Sequence, residues 1–173
     1  RFLREAGAAG LDLDALAGRM TSPLEATRRL MAEVESAVGL QGAPGHFVDR
    51  EVLAGLEEAA LDRLKQHHEK DPLAKGLSKE ELRRRVFGKA HPAVFDTALA
   101  RLGSGGRVTE TADLVALKAH RVQLSGPEGA ARAAIVAALR EAGLEGVALL
   151  NLHLQLGQDQ KACENAVRVL VQE

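Results

Sequence analysis

The chain has 173 residues, a formal net charge of −1, 46% hydrophobic and 27% charged residues, a globular balance that excludes a disordered tail. No run approaches the roughly 20 apolar residues of a membrane helix, and Arg1 to Gly10 lacks the apolar stretch of a secretion signal. One cysteine, Cys163, excludes an internal disulfide and a Cys-rich zinc site, and the absence of Trp and Tyr, with only four Phe, excludes a row of base-stacking platforms. The first residue is not Met, so the chain is expected to be a fragment of something longer.

In chain order, Arg4-Glu5-Ala6-Gly7-Ala8-Ala9-Gly10 closes a first helix and turns into a short second one. Leu11 to Met20 carries that second helix. Ser22-Pro23-Leu24-Glu25 reads as a capping box at a third, with Pro in the permitted first position. Val34 to Val38, a Gly/Pro turn through Gly42–Gly45, and His46-Phe47-Val48 predict a β-hairpin. From Asp49 to about Lys70, Val52, Leu53, Leu56, Ala60, Leu64 and His67 keep helical spacing. This one helix joins two modules with no flexible linker.

The plan then repeats. Leu77–Val86 aligns with Leu11–Met20, with Ser78 as a cap and Glu81 at the third helical position. Ala93 to Ala100 lies in a third helix. Gly105 to Thr109 and Asp113 to Leu117 flank a turn at Glu110-Thr111-Ala112, a second hairpin. Lys118 to Leu124 is a short junction without a Gly/Ser tract. Ser125-Gly126-Pro127-Glu128 opens another first helix. Arg140-Glu141-Ala142-Gly143-Leu144-Glu145-Gly146 returns the opening heptad, with Leu149 and Leu152 matching Leu13 and Leu16. A last helix runs from about Asp159 to Glu173, where a hairpin would follow. Repeats of this kind mark duplicated modules. The expected fold is mainly α with small β-hairpins: tandem winged-helix modules in an elongated row. Their expected bounds are 1–48, 49–122 (sharing helix 49–70) and 123–173, the last stopping before its wing.

Charge is unevenly distributed. Residues 1–60 carry −4, residues 61–122 carry +5 and residues 123–173 carry −2. Basic density peaks between Lys75 and Lys89. On the helix from Ser78 to Phe87, Leu82 and Val86 form the buried stripe, so Lys79, Arg83 and Arg84 point outward, flanked by Lys75 and Lys89. These five are the candidate contacts to an RNA backbone, since such a face attracts phosphate. The competing reading is a solvated face, with Glu80 and Glu81 pairing to Arg84 and Arg85. Sequence-specific DNA reading is disfavoured, because the third helix of the middle module has almost no Arg, Asn or Gln. Arg28 and Arg29 in the first module sit among acidic residues, as do Lys161, Asn165 and Arg168 in the third.

No catalytic constellation emerges. His67-His68-Glu69 lacks the i, i+4 spacing of ligand pairs and reads as a partly exposed helix end. Cys163 falls at a core position and reads as a structural thiol. Glu57-Glu58 and Glu80-Glu81 diverge on their helices, and no phosphate-binding Gly loop precedes a helix. No metal ligand set, catalytic residue or bound cofactor is expected.

Three stretches carry a family resemblance: His67–Arg83, Phe95-Asp96-Thr97-Ala98-Leu99-Ala100-Arg101-Leu102, and Gly105-Gly106-Arg107-Val108 with Ala119-His120-Arg121-Val122-Gln123-Leu124. They resemble the C-terminal winged-helix region of bacterial selenocysteine-specific translation elongation factors. The resemblance implies a whole protein with a GTPase and tRNA-binding part, then four winged helices, the last gripping an mRNA hairpin. It implies GTP, selenocysteyl-tRNA, mRNA hairpin and ribosome as partners of that whole protein, with no membrane, in the cytoplasm. This chain, expected to be monomeric and not itself an enzyme, would space the two ends during selenocysteine insertion at UGA. No catalytic or hairpin-contacting residue carries over. The alternatives are a tandem winged-helix DNA-binding regulator and a protein-interaction scaffold.

Overall fold

The heptad at Arg4–Gly10 and its copy at Arg140–Gly146 take the same backbone path. Each closes a helix at a glycine in the left-handed region, Gly7 (φ 59°) and Gly143 (φ 54°). A 3-10 turn follows in both, Gly7–Ala9 and Gly143–Glu145. Each turn then exits through a second such glycine, Gly10 (φ 65°) and Gly146 (φ 68°). Residues without a Cβ are the ones that hold this conformation without strain.

The computed structural model describes residues 1–120, 124, 126–148 and 150–172. Two units separate, residues 1–70 with 75–120 and residues 71–74 with 121–173. The first unit runs α1 (Phe2–Ala6), β1 (Leu11–Asp12), α2 (Leu13–Met20), α3 (Leu24–Glu33), β2 (Ala37–Leu40) and β3 (Ala43–Asp49). It continues with α4 (Arg50–Lys70), β4 (Leu77–Ser78), α5 (Lys79–Val86), α6 (Pro92–Ser104), β5 (Val108–Glu110) and β6 (Leu114–Leu117). Both halves build a three-stranded antiparallel sheet, ordered β1-β3-β2 and β4-β6-β5. Helix, short strand, two helices and a hairpin, used twice, is the winged-helix plan.

The short strands β1 and β4 carry no alternation and escape sequence reading. They occupy equivalent places: Leu11 pairs with Phe47 and Leu77 with Val115. The next residue caps a helix in each case. Asp12 Oδ1 accepts from the Ala15 N–H at 2.6 Å, and Ser78 Oγ from the Glu81 N–H at 3.1 Å. The second helices therefore start at Leu13 and at Lys79, the latter where the expected Ser78 cap places it, because both caps need extended backbone. The expected box at Ser22 does not form. Pro23 occupies the cap position of α3 without a side-chain hydrogen bond, and the Ser22 N–H instead donates to Ala17 O at 3.0 Å, closing α2. Ser125 lies outside the described residues, as do Leu149 and Glu173.

The first hairpin is also shifted. Val34 still belongs to the end of α3, its N–H donating to Leu30 O at 3.0 Å, so the strand begins at Ala37. The turn is Gln41-Gly42, with Gly42 at φ 74°, and Ala43 already pairs with Leu40. In the second hairpin, Gly105 closes α6 through Arg101 O at 2.9 Å, so pairing starts at Val108. The long helix α4 follows β3 without a gap, and the Asp49 carboxylate accepts from the Glu51 N–H at 3.0 Å.

The first hairpin is a wall between two cores. Ala37 and Phe47 pack with Leu3, Leu11, Leu13, Leu16 and Met31 on one side. Val38, Leu40 and Val48 join Leu53, Leu64, Leu82, Val94, Leu99 and Val115 on the other. Alternate residues of a strand face opposite ways, so one strand can serve both cores. The second unit consists of α7 (Gly126–Ala142), α8 (Leu152–Leu156) and α9 (Gln160–Gln172). Small residues, Ala131 against Ala162 and Ala166, let α7 and α9 approach around Ile135 and Leu152. Asp159 caps α9 through the Ala162 N–H at 2.9 Å.

Candidate nucleic-acid interface

Helix α5 is held to the middle core by Leu82, which has no exposed surface. Its outer face then follows from helical geometry. Arg83 and Arg84 are exposed, as are Lys75 and Lys89 beyond the helix ends. None of these four makes an ion pair among the described residues. Lys79 differs from expectation. It is half-buried and its ammonium lies 3.0 Å from the Glu110 carboxylate on β5. Sequence spacing could not show this partner, which arrives from the hairpin. The pairing of Glu81 with Arg85 is as foreseen, at 2.9 Å, but Arg63 from α4 joins it at 3.1 Å. Glu80 is exposed and forms no ion pair with Arg84 among the described residues.

The usual reading helix is closed. Ala93, Val94, Phe95, Thr97, Ala98, Leu99 and Leu102 of α6 are all buried. The Thr97 hydroxyl donates to Ala93 O at 2.7 Å and accepts from the Gln41 N–H of the first hairpin at 2.9 Å. His91, capping α6 by accepting from the Ala93 N–H at 3.2 Å, stacks on His46 of β3 with ring centroids 4.3 Å apart. His46 in turn donates to Ala9 O at 2.9 Å. The open positions that remain are Pro92, Asp96, half-buried Ala100, Arg101, Gly103 and Ser104; the two donors among them are engaged, Arg101 with the Glu57 carboxylate at 2.6 Å and the Ser104 hydroxyl with Arg101 O at 3.0 Å. On α3, Arg28 lies 3.7 Å from Glu25. On α9, Asn165 donates to Glu128 at 2.6 Å and Arg168 pairs with Asp71, leaving Lys161 exposed.

The remaining candidates are structural. His68 is buried rather than partly exposed: its Nε2 accepts from the Leu117 N–H at 3.4 Å and its ring stacks on His120 at 3.6 Å. His67 donates to Gly76 O at 3.2 Å. The wing strand and the turn after α4 draw both rings inward. Among the described residues no three metal-ligating side chains gather. Cys163 is buried, and burial pushes its thiol up, with the Asp159 carboxylate adding to the effect. It sits on a cleft of about 460 Å³ that also exposes Leu150 and His153. A protonated, buried thiol is not a nucleophile.

Residues 61–117 match the family model described as "Elongation factor SelB, winged helix". This segment is similar to the winged helix of SelB. The match runs from the middle of α4 through β6, the stretch that contains the α5 face and α6. The wider chain is similar to the selenocysteine-specific elongation factor of Desulfomicrobium baculatum, 29% identical over 145 residues. That alignment covers 82% of this chain and 23% of the relative, so the chain spans about a quarter of the length of the curated relative it matches. The SelB-type module is thus flanked on both sides by sequence that also aligns. No helix among the described residues is long and apolar enough to cross a membrane.

Proposed function

We propose that this chain is the central winged-helix part of a selenocysteine-specific translation elongation factor, acting in the cytoplasm. In it the tandem modules space a GTPase and tRNA-binding part from an mRNA hairpin-binding module during selenocysteine insertion at UGA. The observation that carries the reading is the SelB winged-helix match at residues 61–117, set within an alignment covering 82% of the chain. GTP, selenocysteyl-tRNA, the hairpin and the ribosome belong to the whole protein, and this chain contributes no catalytic residue, metal or cofactor. A spacer suits two modules joined by a continuous helix and a shared hairpin wall. The five basic candidates lie on the SelB-type module, and four of them, Lys75, Arg83, Arg84 and Lys89, remain free to face an RNA backbone. A DNA-reading regulator is not supported, because most of α6 is buried and, of its exposed side chains, Asp96 is acidic and Arg101 is paired with Glu57.

The test is a chimera. The corresponding region of the Desulfomicrobium relative is replaced by this chain and expressed in a bacterium lacking its own factor. Selenium incorporation at a UGA reporter is the expected result. A chimera that binds GTP and selenocysteyl-tRNA yet reads no UGA would overturn the proposal.

A further inference from the structure

We infer that the α5 face of the middle module docks on the sugar–phosphate backbone of double-helical RNA, through Arg83 and Arg84 with Lys75 and Lys89. RNA as the polymer rests on the proposed function; the double helix rests on the structure. Three observations converge. The four cations are exposed and free of ion pairs among the described residues, whereas Lys79 and Arg85 are occupied by carboxylates. No Phe ring is exposed to stack a base: Phe87 and Phe95 are buried and Phe2 and Phe47 half-buried. The reading helix α6 is mostly buried and tied at Thr97 to the Gln41 N–H at 2.9 Å, and its exposed cation, Arg101, is held by Glu57 at 2.6 Å, so it presents no free donor to a groove. What is left recognises phosphates alone. Arg83 and Arg84 hang from one short, well-packed helix, so their positions are set in advance. A double helix presents its phosphates already fixed, and docking it orders little. A single strand would have to be ordered with no stacking to offset the loss.

Glu80 gives the patch an internal control. It stands three and four residues before Arg83 and Arg84, on the same outer face. Its carboxylate lowers the local potential without contacting phosphate. Removing that charge strengthens docking if the arginines do the docking.

The experiment uses the 173-residue chain, a blunt RNA duplex and its separated single strand, read by fluorescence anisotropy. With four phosphates engaged, duplex affinity falls about 100-fold from about 50 to about 200 mM salt, and only about tenfold for the Arg83→Ala/Arg84→Ala variant. Glu80→Gln binds the duplex severalfold tighter than the parent. Circular dichroism checks that each variant is folded, and Lys75→Gln/Lys89→Gln provides a second pair off the helix. Equal salt dependence for the parent and both double variants overturns the patch. Equal affinity for single strand and duplex overturns the double helix as ligand while leaving an RNA-binding face. No binding to either RNA at low salt overturns the inference outright. UGA reading by the chimera, measured separately, would then still stand or fall on its own.

Discussion

Gly10 and Gly76 show how much a missing side chain can determine. They precede β1 and β4, and each runs against the hairpin strand of its own module. A Cβ on Gly10 would lie 2.5 Å from Phe47 O, and one on Gly76 would lie 2.7 Å from Val115 O. Both obstacles are backbone carbonyls within a paired sheet, which cannot swing aside. Gly10 also has φ 65°, while Gly76 is not in the left-handed region. Gly76→Ala is therefore expected to cost about 1–3 kcal/mol through overpacking alone. Gly10→Ala should cost more, adding left-handed strain to the clash. Gly146 separates the two effects, since its φ is 68° but nothing lies within 4 Å of its Cβ position. Gly146→Ala should cost about 1–2 kcal/mol, the strain alone. Urea unfolding midpoints rank the three, and a neutral Gly76→Ala would refute the close-approach argument.

Among the elements, the helices are anchored by ion pairs that sequence spacing only half reveals. The Arg63 guanidinium, with Arg85 beside it, holds the Glu81 carboxyl below the usual range, and Arg107 does the same for Glu58 on α4. A depressed folded-state pKa contributes stability that is present above the unfolded carboxylate value of about 4.3 and lost as pH falls through the folded value. The thermal midpoint should therefore drop on acidification below about pH 4.3. Glu58→Gln and Glu81→Gln should each flatten that drop, and unchanged acid sensitivity in both would count against these pairs. Glu58 is exposed and Glu81 only half-buried, so each pair contributes little near neutrality. Local contacts such as Glu81–Arg85, the Ser78 cap and the repeated Arg-Glu-Ala-Gly turn were legible because their spacing is short. Glu110 on Lys79, Gln41 on Thr97 and the burial of His68 were not, because a hairpin distant in sequence supplies the partner. The same limit applied to the candidate site: exposure of Arg83 and Arg84 followed from helical periodicity, whereas the closure of α6 needed the first module's wing in place.

At the largest scale, the first unit is two winged helices sharing one wall. A hairpin normally buries one face, and β5 and β6 do so, with Val108 and Val115 turned inward while Thr109 is exposed. The first hairpin buries both faces, Phe47 toward the first core and Val48 toward the second. Its tip is tied to α6 at Thr97 and its His46 ring lies on His91. The middle module therefore lacks a complete core without the preceding one. Leu40, 6% exposed, belongs to the first hairpin by sequence but to the second core by packing. Leu40→Ala should destabilise by about 2–5 kcal/mol. Because the loss falls on a shared core, amides of α6 should lose as much hydrogen-exchange protection as those of β2 and β3. If the modules unfolded independently, only the hairpin amides would exchange faster, and α6 would keep its protection. Matched losses in α6 and the hairpin would make the two modules one cooperative unit, as a spacer that transmits position without pivoting between them requires.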